Sequence, residues 1–272
     1  MMSDVPSPHP FRAKKKYGQH FLESAWADRL IATIEPQAGD RFVEIGPGPG
    51  ALTVRLAPQV ARITAVELDG DMVATLHPRL PPNVTLINAD FLEFDLAALA
   101  SERPFRVVGN LPYNVSSPIL FALLDAHRTL GGLIDATLMV QREVADRIVA
   151  PPGGRDYGVL SIFVQLHADV RRVLSLPPGA FRPVPKVHSA VVNLRFREPA
   201  VALADEPSFE AMVRTMFMQR RKTLLNALGS YAASRGHESG AALDAAGIDR
   251  RRRPETLQLT ELARLADYFA SA

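Results

Sequence analysis

Five short apolar segments, spaced along the first half of the chain, fix the class of fold open to it. They are "RFVEIG" (41–46), "RITAVEL" (62–68), "VTLIN" (84–88), "FRVVG" (105–109) and "ATLMVQ" (136–141). Each is short and apolar and so reads as a strand, the first and the fourth as buried ones. Helical periodicity intervenes at "ALTVRLA" (51–57) and again from about Asp71. Strands alternating with helices build parallel crossover units, hence an α/β sheet. A helix beginning near Ser24 precedes them, with Trp26, Leu30, Ile31 and Ile34 on one face. Later, "HSAVVNLRF" (188–196) alternates in the manner of an antiparallel strand near a sheet edge.

The first strand runs into "EIGPGPG" (44–50), a turn that opens the next helix. Glycine permits the sharp turn and a close approach of ligand to backbone, and the helix start offers free N–H groups. About 20 residues on, Glu67 ends the second strand, where a carboxylate can grip both hydroxyls of a ribose. Asp90, in "NADF" (88–91), ends the third and can accept from an adenine amino group. Ligands of open α/β sheets bind at these carboxyl ends. The G-P-G-P-G spacing departs from the dinucleotide fingerprint, and Pro47 and Pro49 remove two donors that a pyrophosphate would use. A nucleoside without phosphates fits better, and S-adenosylmethionine (SAM) is one. NAD remains the competing ligand at this point.

"NLPY" (110–113) follows the fourth strand, beside the same pocket. An adenine amine is a poor nucleophile, because its lone pair is delocalised into the ring. Two acceptors holding its N–H groups draw the nitrogen toward tetrahedral geometry. The Asn110 side-chain oxygen and the Leu111 carbonyl, stiffened by Pro112, supply such a pair. Tyr113 can stack on the base. Alone, the stretch also fits a turn in which Asn110 caps the next helix. Its position after the glycine turn, Glu67 and Asp90 favours the catalytic reading.

At 272 residues and 47% apolar, the chain can bury a large core in one domain or two. Cysteine is absent, which excludes disulfides and thiolate metal sites. The histidines do not cluster with acids at ligand spacing, so no metal is expected. There is no G-x-S-x-G and no P-loop. No apolar run approaches a membrane span, and the start lacks a signal peptide's apolar core, so the expectation is a cytoplasmic protein off the membrane. The net charge is only +2, yet basic residues cluster at Arg12–Lys16, Arg220–Lys222 and Arg250–Arg253, which points to a polyanion partner. Composition shifts near 197–208, and only helical patterns follow. Phe209, Met212, Val213, Met216 and Phe217 form one apolar face, and Leu262, Leu265, Ala266 and Phe269 another. This places a boundary near residue 200, with residues 1–200 as the α/β domain and 201–272 as a small helical domain.

The sequence resembles the bacterial small-subunit rRNA adenine dimethyltransferases. The residues that carry the likeness are "KKYGQHFL" (15–22), "VEIGPGPGALT" (43–53), "AVELD" (65–69), "NADF" (88–91), "VVGNLPYNVSSPIL" (107–120), "MVQREVADRI" (139–148), "YGVLSI" (157–162), "FRPVPKVHSAVV" (181–192) and "FMQRRKTLLNAL" (217–228). The resemblance implies a Rossmann-like SAM-dependent methyltransferase sheet with a C-terminal all-helical, rRNA-contacting domain. It implies dimethylation of two adjacent adenines near the 3′ end of 16S rRNA, in the immature 30S subunit, by a monomer. His20 and Leu22 would then contact SAM, Gly46 its methionine part, Glu67 the ribose and Asp90 the adenine. Asn110 would touch both cofactor and target. Phe181 would stack on the flipped base opposite Tyr113. Lys14–Lys16, Arg142, Arg147, Lys186 and Arg220–Lys222 would meet rRNA phosphates. A macrolide-resistance methyltransferase of the large subunit and a ribosome-assembly factor stand as alternatives.

Overall fold

A computed structural model of the chain describes residues 13–14 and 18–270. Its strands are β1 (Phe21–Leu22), β2 (Arg41–Ile45), β3 (Arg62–Glu67), β4 (Val84–Asn88), β5 (Phe105–Asn110), β6 (Leu133–Gln141), β7 (Ala168–Leu176), β8 (Phe181–Arg182) and β9 (Ser189–Phe196). Its α-helices are α1 (Ser24–Ile34), α2 (Thr53–Leu56), α3 (Gly70–Leu76), α4 (Ser116–Leu130), α5 (Arg142–Ile148), α6 (Val159–His167), α7 (Glu206–Met218), α8 (Leu224–Ala227), α9 (Gly229–Ser234), α10 (Ser239–Ala245) and α11 (Leu259–Ala270).

Seven strands form one sheet in the order β4-β3-β2-β5-β6-β9-β7, and β1 pairs with β8 in a separate two-stranded sheet. The pairs β2–β3, β2–β5, β3–β4 and β5–β6 are all parallel, as the alternation of strand and helix predicts. Strand order reverses between β2 and β5, which opens a crevice above their carboxyl ends. Gly109 lets these two strands close up there. A Cβ on it would lie 2.8 Å from the Ile45 carbonyl oxygen. The sheet is flanked by an apolar cluster in which α1 contributes Ala27, Leu30, Ile31 and Ile34, and the strands Phe42, Ile63, Ala65 and Val108.

The helix after the glycine turn is only four residues long and passes into a 3-10 turn at Ala57–Gln59, because Pro58 cannot continue the α-helical hydrogen bonds. The strand expected near a sheet edge, β9, lies next to the edge strand β7, "ADVRRVLSL". Contacts divide the chain into two compact units, differently from a single cut near residue 200. One is the chain through Arg142 with Arg172–Asn193, and the other is Glu143–Arg171 with Leu194–Ala272. In the second unit α6 packs against α7, so a segment far earlier in sequence joins the C-terminal helices. Phe209, Met212, Val213 and Met216 of α7 and Leu262, Leu265, Ala266 and Phe269 of α11 are all buried, as their spacing predicts, whereas Phe217 is half-buried.

Candidate active site

The crevice above β2, β3 and β5 is a cleft open to solvent, with a cavity volume of about 190 Å³. The glycine turn forms one wall. Gly46, Gly48 and Gly50 take φ of 64°, 53° and 89°, a region that side-chain-bearing residues avoid. The turn is held by Glu67, whose Oε2 accepts from the Gly48 N–H at 2.9 Å while Oε1 accepts from the Asp69 N–H at 2.8 Å. Glu67 is 6% exposed. Burial pushes its pKa upward, and the two N–H donors oppose that. Asp90 lines the cleft at the end of β4 and accepts from the Leu92 N–H at 2.9 Å. Asp69 caps α3 and binds Lys14 at 2.6 Å and Gln19 at 3.0 Å.

The opposite wall is "NLPY". Asn110 donates through Nδ2 to the His20 carbonyl at 2.7 Å, which leaves its side-chain oxygen as the acceptor end. The Leu111 N–H is tied to the Met139 carbonyl at 3.1 Å, so this backbone is pinned to β6. Tyr113 is half-buried, and its hydroxyl meets Ser189 Oγ at 2.8 Å. The His20 ring stacks on it, with centroids 5.5 Å apart and planes 24° from parallel. His20 Nδ1 also lies 2.7 Å from the Pro183 carbonyl oxygen.

His20, Leu22, Gly46, Glu67, Asp90, Asn110, Leu111, Pro112 and Tyr113 therefore line one cleft. Phe181 does not. It pairs with Leu22 in the β1–β8 ladder, and this register turns its ring into the core, 1% exposed, while Arg182 faces out. Leu22 is itself mostly core, at 7% exposed.

The basic runs also change meaning. Arg12, Lys15 and Lys16 lie outside the described residues. Lys14 is bound by Asp69 and Asp71, and Arg147 pairs with Glu143 one turn away. Arg250, Arg251 and Arg252 pair with Asp244, Asp249 and Glu261, so most of that run is neutralised within its own unit. Lys186, Arg221 and Lys222 are exposed. In the second unit, Arg155, Arg220 and Arg221 line a shallow groove with Gly153, Gly154 and Glu255.

Sequence reasoning passed over Glu44. It sits in β2 at 2% exposed and lines the cleft, and its Oε2 has no hydrogen-bond partner. The signal was a charged residue inside an otherwise apolar strand. Sequence reasoning also missed Ser189, which no local pattern links to Tyr113.

The donor set suits SAM. Three carboxylates, Glu44, Glu67 and Asp90, line the cleft, and among the described lining residues there is no Lys or Arg to meet a phosphate. A cationic, phosphate-free nucleoside fits such a lining.

The model of the ribosomal RNA adenine dimethylase family matches residues 10–271. The ribosomal RNA small subunit methyltransferase A of Anaeromyxobacter sp. (strain K) is 46% identical over 97% of this chain and 98% of its own. That of Nitrosococcus oceani is 46% identical over 96% and 97%. Among solved structures, a dimethyladenosine transferase from Plasmodium falciparum superposes with a TM-score of 0.78 at 26% identity, covering 93% of this chain and 98% of that one. The 23S rRNA methyltransferase ErmE gives 0.68 at 28% identity, covering 92% and 99%. A Rossmann-like methyltransferase sheet, a SAM-suited cleft and a match over nearly the whole sequence converge: the chain belongs to the ribosomal RNA adenine dimethylase family.

Proposed function

We propose that this protein dimethylates the N6 amines of two adjacent adenines near the 3′ end of 16S rRNA, using SAM, in the immature small subunit. One observation carries the reading. The acceptor-rich "NLPY" wall faces an acidic, phosphate-excluding nucleoside cleft across the point where strand order reverses. SAM supplies an electrophilic methyl group on a sulfonium. The chain's own residues hold the target. The Asn110 side-chain oxygen and the Leu111 carbonyl accept the two N–H groups of the adenine and orient its lone pair. Tyr113, steadied by Ser189, offers a ring for the extruded base. As the new N–C bond forms, the sulfonium S–C bond breaks, and the surplus amine proton leaves to solvent. Positioning supplies most of the rate, since no side chain needs to remove a proton first. Glu67 and Asp90 bind the ribose and adenine of the donor. Gly46 leaves room for its methionine part, and His20 and Leu22 close the cleft from the N-terminal side. Phe181 supports that segment from beneath.

The exposed Arg221 and Lys222, the groove with Arg155 and Arg220, and Lys186 are the phosphate contacts of this reading, with the helices of 201–272 meeting rRNA. Affinity for the subunit should fall steeply with salt, and a flat response would remove the electrostatic account. The same reading makes the protein a cytoplasmic monomer. The test is mass spectrometry of rRNA after incubation with SAM and purified small or large subunits. Two dimethylated adenines near the 3′ end of 16S rRNA are expected. Methylation of 23S rRNA alone would favour the large-subunit alternative, and binding without methylation an assembly factor.

A further inference from the structure

Tyr113 is the ring that the proposed chemistry offers to the extruded adenine, and in this structure that ring is already covered. The His20 imidazole stacks on it, with centroids 5.5 Å apart and planes 24° from parallel. Both residues line the same cleft, so the covered face is the one turned toward it. Stacked rings sit about 3.5 Å apart, so a base held between two rings needs them about 7 Å apart. With centroids at 5.5 Å, no base fits between His20 and Tyr113.

His20 also touches the groups around that ring. Its carbonyl accepts from Asn110 Nδ2 at 2.7 Å, on the same amide as the oxygen assigned to the target amine. Its Nδ1 lies 2.7 Å from the Pro183 carbonyl oxygen, and since a carbonyl only accepts, the hydrogen is on Nδ1. A flat ring stacked on Tyr113, with an N–H donated to a fixed carbonyl, makes the kinds of contact that hold an extruded base. The backbone on either side is anchored. Gln19 donates to Asp69 at 3.0 Å, and Phe21 and Leu22 pair with Arg182 and Phe181. His20 itself is half-buried. Its side chain can therefore swing out by rotamer change while its carbonyl stays on Asn110.

Resting on the target-base reading above, we propose that the His20 side chain is a stand-in for the target adenine: it closes the Tyr113 face in the free protein, and the extruded base displaces it to enter. A purine lays two fused rings on Tyr113 where imidazole lays one, so the exchange favours the base once it is extruded. Until then the slot is shut, and the apparent affinity for a base is reduced by the fraction of protein in which His20 has swung away. His20 is thus a positioning residue for the target, acting through Tyr113.

The test uses the full chain with saturating S-adenosylhomocysteine, which prevents turnover and removes any effect of a substitution on donor binding. The probe is a short single-stranded RNA with two adjacent adenines, compared with the same strand made abasic at both. The ratio of the two affinities reads base insertion alone. In His20→Ala this ratio should rise about five- to fiftyfold. In Tyr113→Leu it should fall toward one, and adding His20→Ala to Tyr113→Leu should change it by less than about twofold, because the two residues act through one contact. Carbon-13-edited NMR gives a second readout that a merely structural role would not move. The His20 Cε1–H resonance, assigned by its loss in His20→Ala, should carry a ring-current shift in the free protein. That shift should vanish in Tyr113→Leu and on binding the adenine strand, and persist with the abasic one. A ratio unchanged or lowered in His20→Ala while Tyr113→Leu abolishes it, or a ring-current shift retained with the adenine strand bound, overturns the inference and leaves the target reading intact. A ratio near one in the unsubstituted protein and in His20→Ala alike, or a ratio indifferent to Tyr113→Leu, overturns both.

Discussion

The two ends of the parallel strands β2 to β6 treat charge in opposite ways. At the amino end of β5, Arg106 is 2.8 Å from Asp40 and 2.9 Å from Asp135, and it donates to the Ile34 carbonyl at 2.9 Å. Its side chain is only 13% exposed, and it lies over the Phe42 ring at 5.0 Å. Both carboxylates beside Arg106 are paired with it. At the carboxyl end, Glu44 has an oxygen with none, Glu67 is buried among backbone donors, and Asn110 holds an oxygen toward an open cleft. Both ends bury polar groups, yet the Arg106 cluster is closed within the chain while the carboxyl end lines an open cleft. Satisfied buried charge makes structure, and unsatisfied buried charge marks a place where something else binds.

The contrast can be broken by substitution. Arg106→Ala leaves Asp40 and Asp135 buried without their cation and should cost about 3–5 kcal/mol of stability in denaturant unfolding. SAM affinity of the remaining folded protein should be unchanged. A loss of affinity without a loss of stability would erase the distinction between the two ends. Asn110→Ala should do the reverse. Methyl transfer in single turnover should fall about 10²–10³-fold, the scale for a lost preorganised hydrogen-bonding group, with subunit binding retained and little change in melting temperature.

A third measurement uses pH. Glu44 rises from an ordinary 4.5 to about 7 in the folded protein. Between those values the native state holds a proton that the unfolded state releases, so its contribution is complete below the lower value and is lost as pH rises through the upper one. Ligand-free protein should therefore lose roughly 3 kcal/mol from this group between about pH 4.5 and pH 8, relative to Glu44→Gln. Equal pH dependence in the two proteins would refute the assignment. The smallest effect is expected of Tyr113→Leu, which removes the aromatic face and the Ser189 bond. It should weaken productive rRNA binding by about 1–3 kcal/mol, read as a raised KM for subunits, with SAM affinity unaltered. An unchanged KM would take Tyr113 out of base recognition.

Much of this was legible in the residues. The parallel order of β2 to β6 follows from apolar runs separated by helical stretches, and the cleft from glycines, Glu67, Asp90 and Asn110 at strand ends. Those signals are local, since backbone conformation and strand burial depend on residues within a few positions. The burial of Phe181 was not legible, because its environment is set by pairing with Leu22, far away in sequence. In the arginine run at 250–253, Arg250 and Arg251 pair with Asp244 and Asp249 just before it, whereas only folding brings Glu261 to Arg252.

By itself the sequence determined the class of sheet, the turn that admits a nucleoside and the loop that holds an amine, because each is written in contiguous residues. Only the tertiary structure decided which charges are neutralised, which aromatic ring faces the cleft, and that Glu44 is buried beside Glu67 without a partner. Those outcomes depend on which distant groups come within a few ångströms of one another, and desolvation and pairing act only at that range.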